Sequence, residues 1–348
     1  KVPHKRLIYK LRNYGINDNI VNWICNWLTN RKQRTVIQGE TSEWEFVWSG
    51  VPQGSVLGPI LFVIYINDID ENILNTLIKF ADDTKLVAKV GNKDDIAKLQ
   101  TDLDKLYEWS QEWLMLFNKD KCNVMYFGFN NDKDKLMLGG KILNEVDVEK
   151  DLGVLIQNNL KVDKQCNKAA NEANKILGMI RRSFVYRDAN IILPLYKSLV
   201  RPHLDYCIQA WRPHYEKDII KLEKVQHRAT KLVEGLYHVA YEERLKLLGL
   251  TTFRTRMLRA DLIEVYKILN GMDKLDPNRY FTRSEGNTRG HSCKMFKKSF
   301  NLDIGKYRFS NRICLEWNSL SEDIVDAKNL NSFKDKLDRH LKTVRGFT

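Results

Sequence analysis

The chain contains 348 residues, of which 43% are hydrophobic and 29% are charged. This balance is typical of a folded globular protein and excludes a disordered tail. At about 150 residues per domain, the length predicts two or three domains. No apolar run approaches the roughly 20 residues of a membrane-spanning helix, so the sequence predicts no transmembrane segment.

Positive charge is concentrated in the second half of the chain. Residues 1–160 contain 20 Lys and Arg against 22 Asp and Glu, whereas residues 161–348 contain 37 against 22. The resulting net charge of +15 in the second part indicates a polyanionic partner. The alternative is a basic surface that is solvated and binds nothing.

The six cysteines predict reduced thiols in an intracellular protein. No two of them form a Cys-x-x-Cys pair, and the chain is long for a disulfide-stabilised scaffold. His203, Cys207 and His214 form a cluster of metal-ligand residue types, but no second ligand pair has the spacing of a zinc site. We therefore expect these three to be separate packing and surface residues.

The first 160 residues predict a mixture of helices and strands. Two helices open the chain; the first ends near Gly15, and the second has apolar residues at helical spacing. Two strands at 34–38 and 44–48 precede a Gly/Pro-rich segment that enters an apolar helix, with Pro59 in its first turn. Further predictions are a hairpin of strands 76–80 and 84–90, an amphipathic helix over 96–113, a strand at 122–127, a hairpin over 136–143 and a strand at 152–156.

Beyond residue 160 the pattern becomes helical. The apolar spacing predicts helices over 162–182, 188–201, 216–234, 240–248, 253–270 and 329–343. Residues 272–306 are polar and basic without a clear period, which predicts a long loop. We therefore expect a domain boundary near residue 160.

Asp82 and Asp83 are adjacent carboxylates at the predicted tip of a hairpin. Two like charges side by side repel each other unless a cation holds them, and Mg²⁺ binds carboxylates together with substrate phosphates. Two such ions can hold the attacking and leaving oxygens in phosphoryl transfer. An ordinary Asp-containing turn is the alternative for this pair alone.

The segment Gly-Val-Pro-Gln-Gly-Ser-Val-Leu-Gly-Pro at residues 50–59 is the second chemical signal. Gly50 and Gly54 allow the backbone to approach a ligand, and the following helix N-terminus offers amide groups to a phosphate. Gln53 and Ser55 can hydrogen-bond a base or a sugar. A structural loop that enters a helix is the alternative for this segment alone.

These motifs together resemble the palm of reverse transcriptases, most closely those of jockey-type non-LTR (LINE) retrotransposons. The resemblance extends over nearly the whole chain. Besides residues 50–59 and Phe80-Ala81-Asp82-Asp83, it rests on Val2-Pro3-His4, Asn118-x-x-Lys121-Cys122, Lys150-Asp151-Leu152-Gly153-Val154, Leu199 to Cys207, Leu222 to Gln226, Arg289-Gly290-His291, Phe309 to Arg312 and Trp317 to Leu320. Ser321 stands where the family usually has Pro.

The resemblance implies RNA-directed DNA synthesis by a two-metal mechanism, with Mg²⁺ or Mn²⁺ as cofactor. The implied partners are an RNA template, a DNA primer and deoxynucleoside triphosphates, without a membrane, in the nucleus or cytoplasm. Asp82 would be a metal ligand that Asp83 supports or joins, and Lys121 would protonate the leaving pyrophosphate, unless it is a solvated lysine. The other implied contacts are with template and nucleotide at Gly50, Pro52, Gln53, Gly54 and Ser55, and with the primer end at Leu152, Gly153 and Val154.

Clustered basic residues in the second part are candidates for binding nucleic acid. Aromatic residues lie among them, as in surfaces that follow a phosphate backbone and stack bases. A solvated flexible loop is the alternative for residues near 279–298. The candidates are Arg254, Arg256, Arg259, Arg289, Lys297 and Lys298.

The implied fold is α+β, with a partial palm of antiparallel sheet and helices at 1–160. A helical thumb at 161–270 and a basic C-terminal region at 271–348 would follow. In the family, a motif resembling Asp-Phe-x-Lys-Ala-Phe-Asp precedes Lys-Val-Pro-His, with which this chain begins. We therefore expect a fragment that lacks a third catalytic carboxylate and the fingers, and that does not polymerise alone. The alternatives are a non-catalytic nucleic-acid-binding protein and a decayed element copy.

Overall fold

The structure is a computed structural model that describes residues 2–128, 133–284 and 290–345. It divides into two compact units, Lys1–Asp147 and Val148–Thr348. The division lies before the boundary expected near residue 160, because the hairpin after Asp147 packs with the helices that follow it. Val154 of this hairpin contacts the helical core of the second unit.

The first unit combines helices with short antiparallel hairpins, as the sequence predicts. Its helices are α1 (His4–Asn13), α2 (Asp18–Leu28), α3 (Leu57–Ile66) and α4 (Lys93–Glu112). Its strands are β1 (Lys32–Gln33), β2 (Val36–Ile37), β3 (Glu40–Thr41), β4 (Glu45–Phe46), β5 (Thr76–Phe80), β6 (Asp83–Val87), β7 (Asn123–Val124), β8 (Met137–Leu138), β9 (Lys141–Ile142) and β10 (Asn144–Glu145).

Most strands of the first unit belong to hairpins. The antiparallel pairs are β1 with β4, β2 with β3, β5 with β6, and β8 with β9, whereas β7 and β10 pair in parallel. Gly139 and Gly140 both have positive φ, as a two-residue turn between strands requires. The hairpins predicted at 76–90 and 136–143 are thus confirmed, while the strand expected at 122–127 is only two residues long. The strands expected at 34–38 and 44–48 are the short segments β2 and β4, which pair with β3 and β1 rather than with each other.

Two apolar clusters hold the first unit together. The first joins α1, α2 and α3 through residues such as Leu11, Ile24 and Leu61. Helix α2 buries Val21, Ile24 and Leu28, whereas Trp23 stays 55% exposed. The second cluster packs α4 against the hairpins through Leu86, Leu103 and Leu138. This second contact fixes one face of the β5–β6 hairpin.

The second unit begins with the antiparallel hairpin of β11 (Val148–Asp151) and β12 (Val154–Gln157) and is otherwise helical. Its longer helices are α5 (Asp163–Ser183), α9 (Glu216–Lys231), α11 (Phe253–Leu269) and α17 (Leu330–Arg345). The shorter ones are α6 (Ala189–Leu195), α7 (Arg201–Asp205), α8 (Ile208–Trp211), α10 (Tyr241–Leu247), α12 (Pro277–Tyr280), α13 (Asp303–Tyr307), α14 (Phe309–Arg312), α15 (Cys314–Asn318) and α16 (Glu322–Val325).

Two predictions for the second unit need correction. The helix expected over 188–201 is interrupted by a π-helical turn, Tyr196–Val200, between α6 and α7. Pro194 and Pro202 lack the amide N–H of a regular ladder, so the backbone adjusts here. The expected loop over 272–306 contains two short helices, and its Phe281 and Met295 are buried in the C-terminal core. Apolar residues at irregular spacing anchor this segment, and periodicity does not reveal them.

Within the described residues, no helix has both the length and the apolar character needed to cross a membrane.

Candidate functional site

Asp82 and Asp83 lie at the exposed tip of the β5–β6 hairpin. The strand pairing extends to Phe80 opposite Asp83, so Ala81 and Asp82 form the turn, with Ala81 at a φ of +51°. Both carboxylates are exposed, and neither has a hydrogen-bond or ion-pair partner among the residues that the structure describes. The local fold thus presents two adjacent negative charges to solvent.

A buried carboxylate anchors the base of this hairpin. Asp102 on α4 is 0% exposed and accepts hydrogen bonds from the backbone N–H groups of Leu74, at 2.9 Å, and Asn75, at 2.8 Å. The Asn75 side-chain amide donates a third bond of 2.8 Å. Because residues 74 and 75 lead directly into β5, Asp102 fixes where the hairpin begins.

A lysine links the hairpin to the segment after α3. The Lys79 ammonium donates to the Asp70 carboxylate at 2.7 Å and to the Asn67 carbonyl at 2.9 Å. The hydrogen bond from Lys79 lowers the pKa of Asp70. Asp70 is therefore already paired, and it supports the hairpin from the side.

The hairpin tip supplies part of a metal-binding donor set. Carboxylate oxygens are the ligands that Mg²⁺ prefers, so Asp82 and Asp83 fit a hard divalent cation. Across residues 2–128, 133–284 and 290–345, however, no group of three or more His, Cys, Asp or Glu side chains could hold a metal ion. Among these residues, the tip is therefore a two-carboxylate site.

The glycine-rich loop before α3 is tied to the first residues of the chain. Gly50 donates its N–H to the Val2 carbonyl at 2.7 Å, and its own carbonyl accepts from Arg31 Nη2 at 2.8 Å. His4 Nε2 lies 2.9 Å from the same carbonyl. The φ of +89° at Gly50 favours glycine here. The predicted loop is therefore a fixed structure rather than a flexible connection.

Ser55 caps α3. Its hydroxyl donates to the Pro52 carbonyl at 2.8 Å and accepts from the Gly58 N–H at 3.0 Å. A Cβ at Gly58 would lie 2.6 Å from the Pro52 carbonyl oxygen, so this tight turn requires glycine. Gln53, Gly54 and Val56 are exposed to solvent. These two bonds use the Ser55 O–H and one of its lone pairs, so one acceptor lone pair remains for the base or sugar contact expected there.

Lys121 is exposed on the turn that follows α4. Its N–H donates to the Asn118 carbonyl at 2.9 Å, which fixes the backbone of this turn. The neighbouring Lys119 donates to the Gly139 carbonyl at 2.6 Å and lies over the Tyr107 ring. Asp120 forms an ion pair with Lys141, which lowers the pKa of Asp120. Lys121 thus differs from its two neighbours, whose side chains hold the fold.

In the second unit, Leu152 and Gly153 form a tight turn with φ angles of +43° and +89°. Tyr206 donates its hydroxyl to the Leu152 carbonyl at 3.0 Å, and Lys168 donates to the Gly153 carbonyl at 2.5 Å. Burial lowers the pKa of Lys168. Sequence reasoning gave neither Tyr206 nor Lys168 this role, and no local pattern indicates it, since both lie far from the turn in sequence.

Three of the four arginines proposed to bind nucleic acid are paired within the protein. Arg254 contacts Glu216, Arg256 contacts Asp205, and Arg259 forms a two-bond pair with Asp338 at 2.5 and 2.9 Å. Arg256 is 6% exposed, and burial lowers its pKa. The structure therefore argues against contact between Arg256 and a nucleic acid, because its guanidinium is enclosed between helices.

The exposed basic candidates lie in the segment before α13. Lys297 and Lys298 are both exposed and follow Phe296, which is 57% exposed. Arg289 lies outside the described residues. His203 and Cys207 are exposed, whereas the His214 ring stacks on Tyr307 with 4.2 Å between ring centres.

Comparison with known proteins defines the class to which the chain belongs. A family model described as "Reverse transcriptase (RNA-dependent DNA polymerase)" matches residues 1–180, about half of the chain. This segment includes the Asp82–Asp83 tip, the glycine-rich loop, Lys121 and the Leu152–Gly153 turn. The chain is a member of the reverse transcriptase family.

The particular relatives come from mobile elements. The chain is 25% identical over 252 residues to the "RNA-directed DNA polymerase from mobile element jockey" of Drosophila funebris, covering 68% of this chain and 27% of that protein. The jockey polymerase of Drosophila melanogaster is 24% identical over 254 residues, covering 68% and 27%. The "Probable RNA-directed DNA polymerase from transposon X-element" of the same species is 24% identical over 222 residues, covering 60% and 24%.

The chain spans about a quarter of the length of these relatives. They confirm the resemblance to jockey-type non-LTR retrotransposon enzymes that the sequence motifs indicate.

Proposed function

We propose that this chain forms part of an RNA-directed DNA polymerase that copies RNA onto a DNA primer. The observation that carries the proposal is a pair of adjacent carboxylates at the hairpin tip of a reverse transcriptase family member: Asp82 and Asp83 have no side-chain partner among the described residues. In this proposal the first unit corresponds to a partial palm. The helices of the second unit correspond to a thumb and a basic C-terminal region.

Asp82 and Asp83 would hold Mg²⁺, with Mn²⁺ as a substitute. When bound, a divalent ion at these carboxylates would stabilise negative charge that develops on phosphate oxygens. The exposed Gln53 and Gly54 would contact the template and the incoming nucleotide. Lys121 would donate a proton to the leaving pyrophosphate, since its exposed ammonium contacts no other residue that the structure describes.

The Leu152–Gly153 turn would contact the primer end. Its rigidity supports this role, because Tyr206 and Lys168 hold both carbonyl groups of the turn. A turn held from both sides keeps its exposed Leu152 side chain in one place. Positioning of this kind is what a polymerase needs to align the primer terminus with a nucleotide.

We further propose that the chain alone does not support efficient synthesis. The described residues bring two carboxylates to the hairpin tip, and a two-metal centre shares more ligands than two adjacent side chains provide. Loss of a preorganised charge-stabilising group costs orders of magnitude in rate.

A primer-extension assay on an RNA template, with Mg²⁺ and all four deoxynucleoside triphosphates, tests both proposals. We expect the wild-type chain to bind the primer–template in a gel-shift assay without extending it. Robust extension that Asp82→Asn abolishes would support the polymerase and overturn the inactivity proposal. Absence of primer–template binding would contradict the polymerase proposal itself.

A non-catalytic nucleic-acid-binding protein is the second candidate function. It is favoured by the exposed Lys297 and Lys298 beside the exposed Phe296. Asp82→Asn separates the two candidate functions. In a polymerase, this change removes Mg²⁺-dependent nucleotide binding, whereas a protein that only binds nucleic acid has no such binding to lose. Mg²⁺-dependent nucleotide binding that is lost in Asp82→Asn would exclude the simple binder.

A further inference from the structure

The ribbon of residues 32–48 is a second surface of unusual composition in the first unit. Strands β1 and β4 pair Lys32 with Phe46 and Gln33 with Glu45. Because side chains alternate across a strand, this register places Lys32 and Phe46 on one face and Gln33 and Glu45 on the other. The two faces of the ribbon therefore carry different chemistry.

One face combines two cations with three aromatic rings. The Lys32 ammonium lies 4.6 Å from the centre of the Phe46 ring, and the Arg34 guanidinium lies 4.8 Å from that of Trp44. The Phe46 and Trp48 rings are 5.4 Å apart. The first and third contacts group Lys32, Phe46 and Trp48, and the second pairs Arg34 with Trp44. Residues 34 and 44 continue the register of 32 with 46, so alternation assigns all five side chains to one face, which we call the aromatic-basic face.

The aromatic-basic face is open to solvent. Trp48 is 80% exposed, Trp44 54% and Phe46 46%. Neither Lys32 nor Arg34 forms an ion pair with any described residue, and Glu45 lies on the opposite face of the ribbon from Phe46. The face therefore carries positive charge that no described residue neutralises.

We propose that the aromatic-basic face binds single-stranded nucleic acid, the strand being template RNA if the proposed function holds. Aromatic rings accept the flat faces of successive bases, and lysine or arginine beside them neutralises the phosphates between those bases. The position of Glu45 on the other face leaves this face positive, which favours a polyanion over a protein surface of mixed charge. The occupant is thus a single strand of RNA, whose bases are free to stack.

The aromatic-basic face is connected along the chain to the glycine-rich loop, which is the proposed contact with the template. Trp48 is followed directly by Ser49 and Gly50, and the Gly50 carbonyl is held by Arg31 at the base of the same ribbon. A strand lying on the aromatic-basic face would therefore lead toward the exposed Gln53. This continuity is a reason to assign the face to the template rather than to an unrelated RNA.

The test is the affinity of the full chain for a single-stranded RNA of about 12 nucleotides, measured by fluorescence anisotropy. We expect Trp44→Ala and Trp48→Ala each to weaken binding about 5-fold or more, the effect of losing one stacked base. Trp23→Ala is the matched control, since Trp23 is 55% exposed in the same unit but lies on α2. It should leave the affinity unchanged.

A second measurement does not depend on the tryptophan variants. The double variant Lys32→Gln/Arg34→Gln should reduce the slope of log Kd against log salt by about 1.4, since each phosphate contact on single strands contributes about 0.7. Equal affinity of Trp48→Ala and Trp23→Ala, or an unchanged salt slope, would overturn the proposal. Altered self-association in sedimentation with unchanged RNA affinity would also overturn it, by making the face a protein contact.

The outcome is separable from that of the proposed function. Asp82→Asn should leave binding of single-stranded RNA unchanged, because the hairpin tip is not part of the aromatic-basic face. If the ribbon variants weaken RNA binding but no metal-dependent nucleotide binding is found, RNA binding by the aromatic-basic face is supported and the polymerase proposal is contradicted. If nucleotide binding depends on metal but RNA binding is the same in the ribbon variants, the polymerase proposal is supported and RNA binding by the face is contradicted.

Discussion

Asp102 is the residue through which the fold positions the Asp82–Asp83 tip, and its substitution gives a quantitative prediction. In Asp102→Asn, the side-chain amide can keep one oxygen toward Asn75, but then its NH₂ group faces the Leu74 N–H. At least one of the three hydrogen bonds is lost, and a backbone donor is left without an acceptor. An unsatisfied donor of this kind costs about 1–3 kcal/mol.

The effect should be local, because residues 74 and 75 lead into β5. Hydrogen exchange measures this effect: amides of β5 and β6 should exchange about 5- to 160-fold faster in Asp102→Asn, as a cost of about 1–3 kcal/mol predicts. Asp104→Asn is the control, since Asp104 is exposed on the same helix and contacts only the Gln100 amide at 2.9 Å in the described structure. Equal exchange in the two variants would refute the anchoring role of Asp102.

Three further predictions concern the second unit. Gly153→Ala should lower the urea midpoint of unfolding more than Gly235→Ala. Both glycines have positive φ, but only a Cβ at residue 153 would lie as close as 3.2 Å to a tyrosine ring. Equal midpoints in the two variants would contradict this prediction. Arg256→Met should destabilise the second unit because Arg256 is buried, but it should leave the slope of log Kd against log salt for RNA binding unchanged. A slope reduced by about one would instead show that this arginine contacts a phosphate. Burial lowers the pKa of His214 and His227, so protonation favours the unfolded chain, and the free energy of unfolding should fall as the pH drops below about 6.5. Urea titrations at pH 7.5 and 5.5 should show a smaller fall in His214→Gln/His227→Gln, and an equal fall would contradict this assignment.

Local patterns in the sequence were sufficient to predict the hairpins and most helices. Residues 76–80 alternate and end at an Asp-Asp turn, and Gly139-Gly140 supplies the positive φ angles of a tight turn. These features depend on neighbours in the chain, so a one-dimensional pattern contains the necessary information. The same pattern placed Asp82 and Asp83 at an exposed tip.

Features that depend on tertiary pairing were not predictable. Arg256 looks like a surface charge in the sequence, but a helix distant in the chain supplies Asp205 and encloses it. Tyr206 and Lys168 hold the Leu152–Gly153 turn across more than ten residues of sequence, and Ser55 turned out to be a helix cap. Charge counts and motifs give residue types, whereas partners follow only from the packing of the helices.

Binding of a divalent cation by Asp82 and Asp83 can be measured as Mn²⁺ binding, followed by water-proton relaxation. The matched control is Asp94→Asn/Asp95→Asn, an adjacent pair in the first turn of α4 in the same unit. We predict that Asp82→Asn/Asp83→Asn abolishes Mn²⁺ binding in the presence of primer–template and nucleotide, while the control variant binds as the wild type does. Equal Mn²⁺ affinity in both double variants would contradict the account.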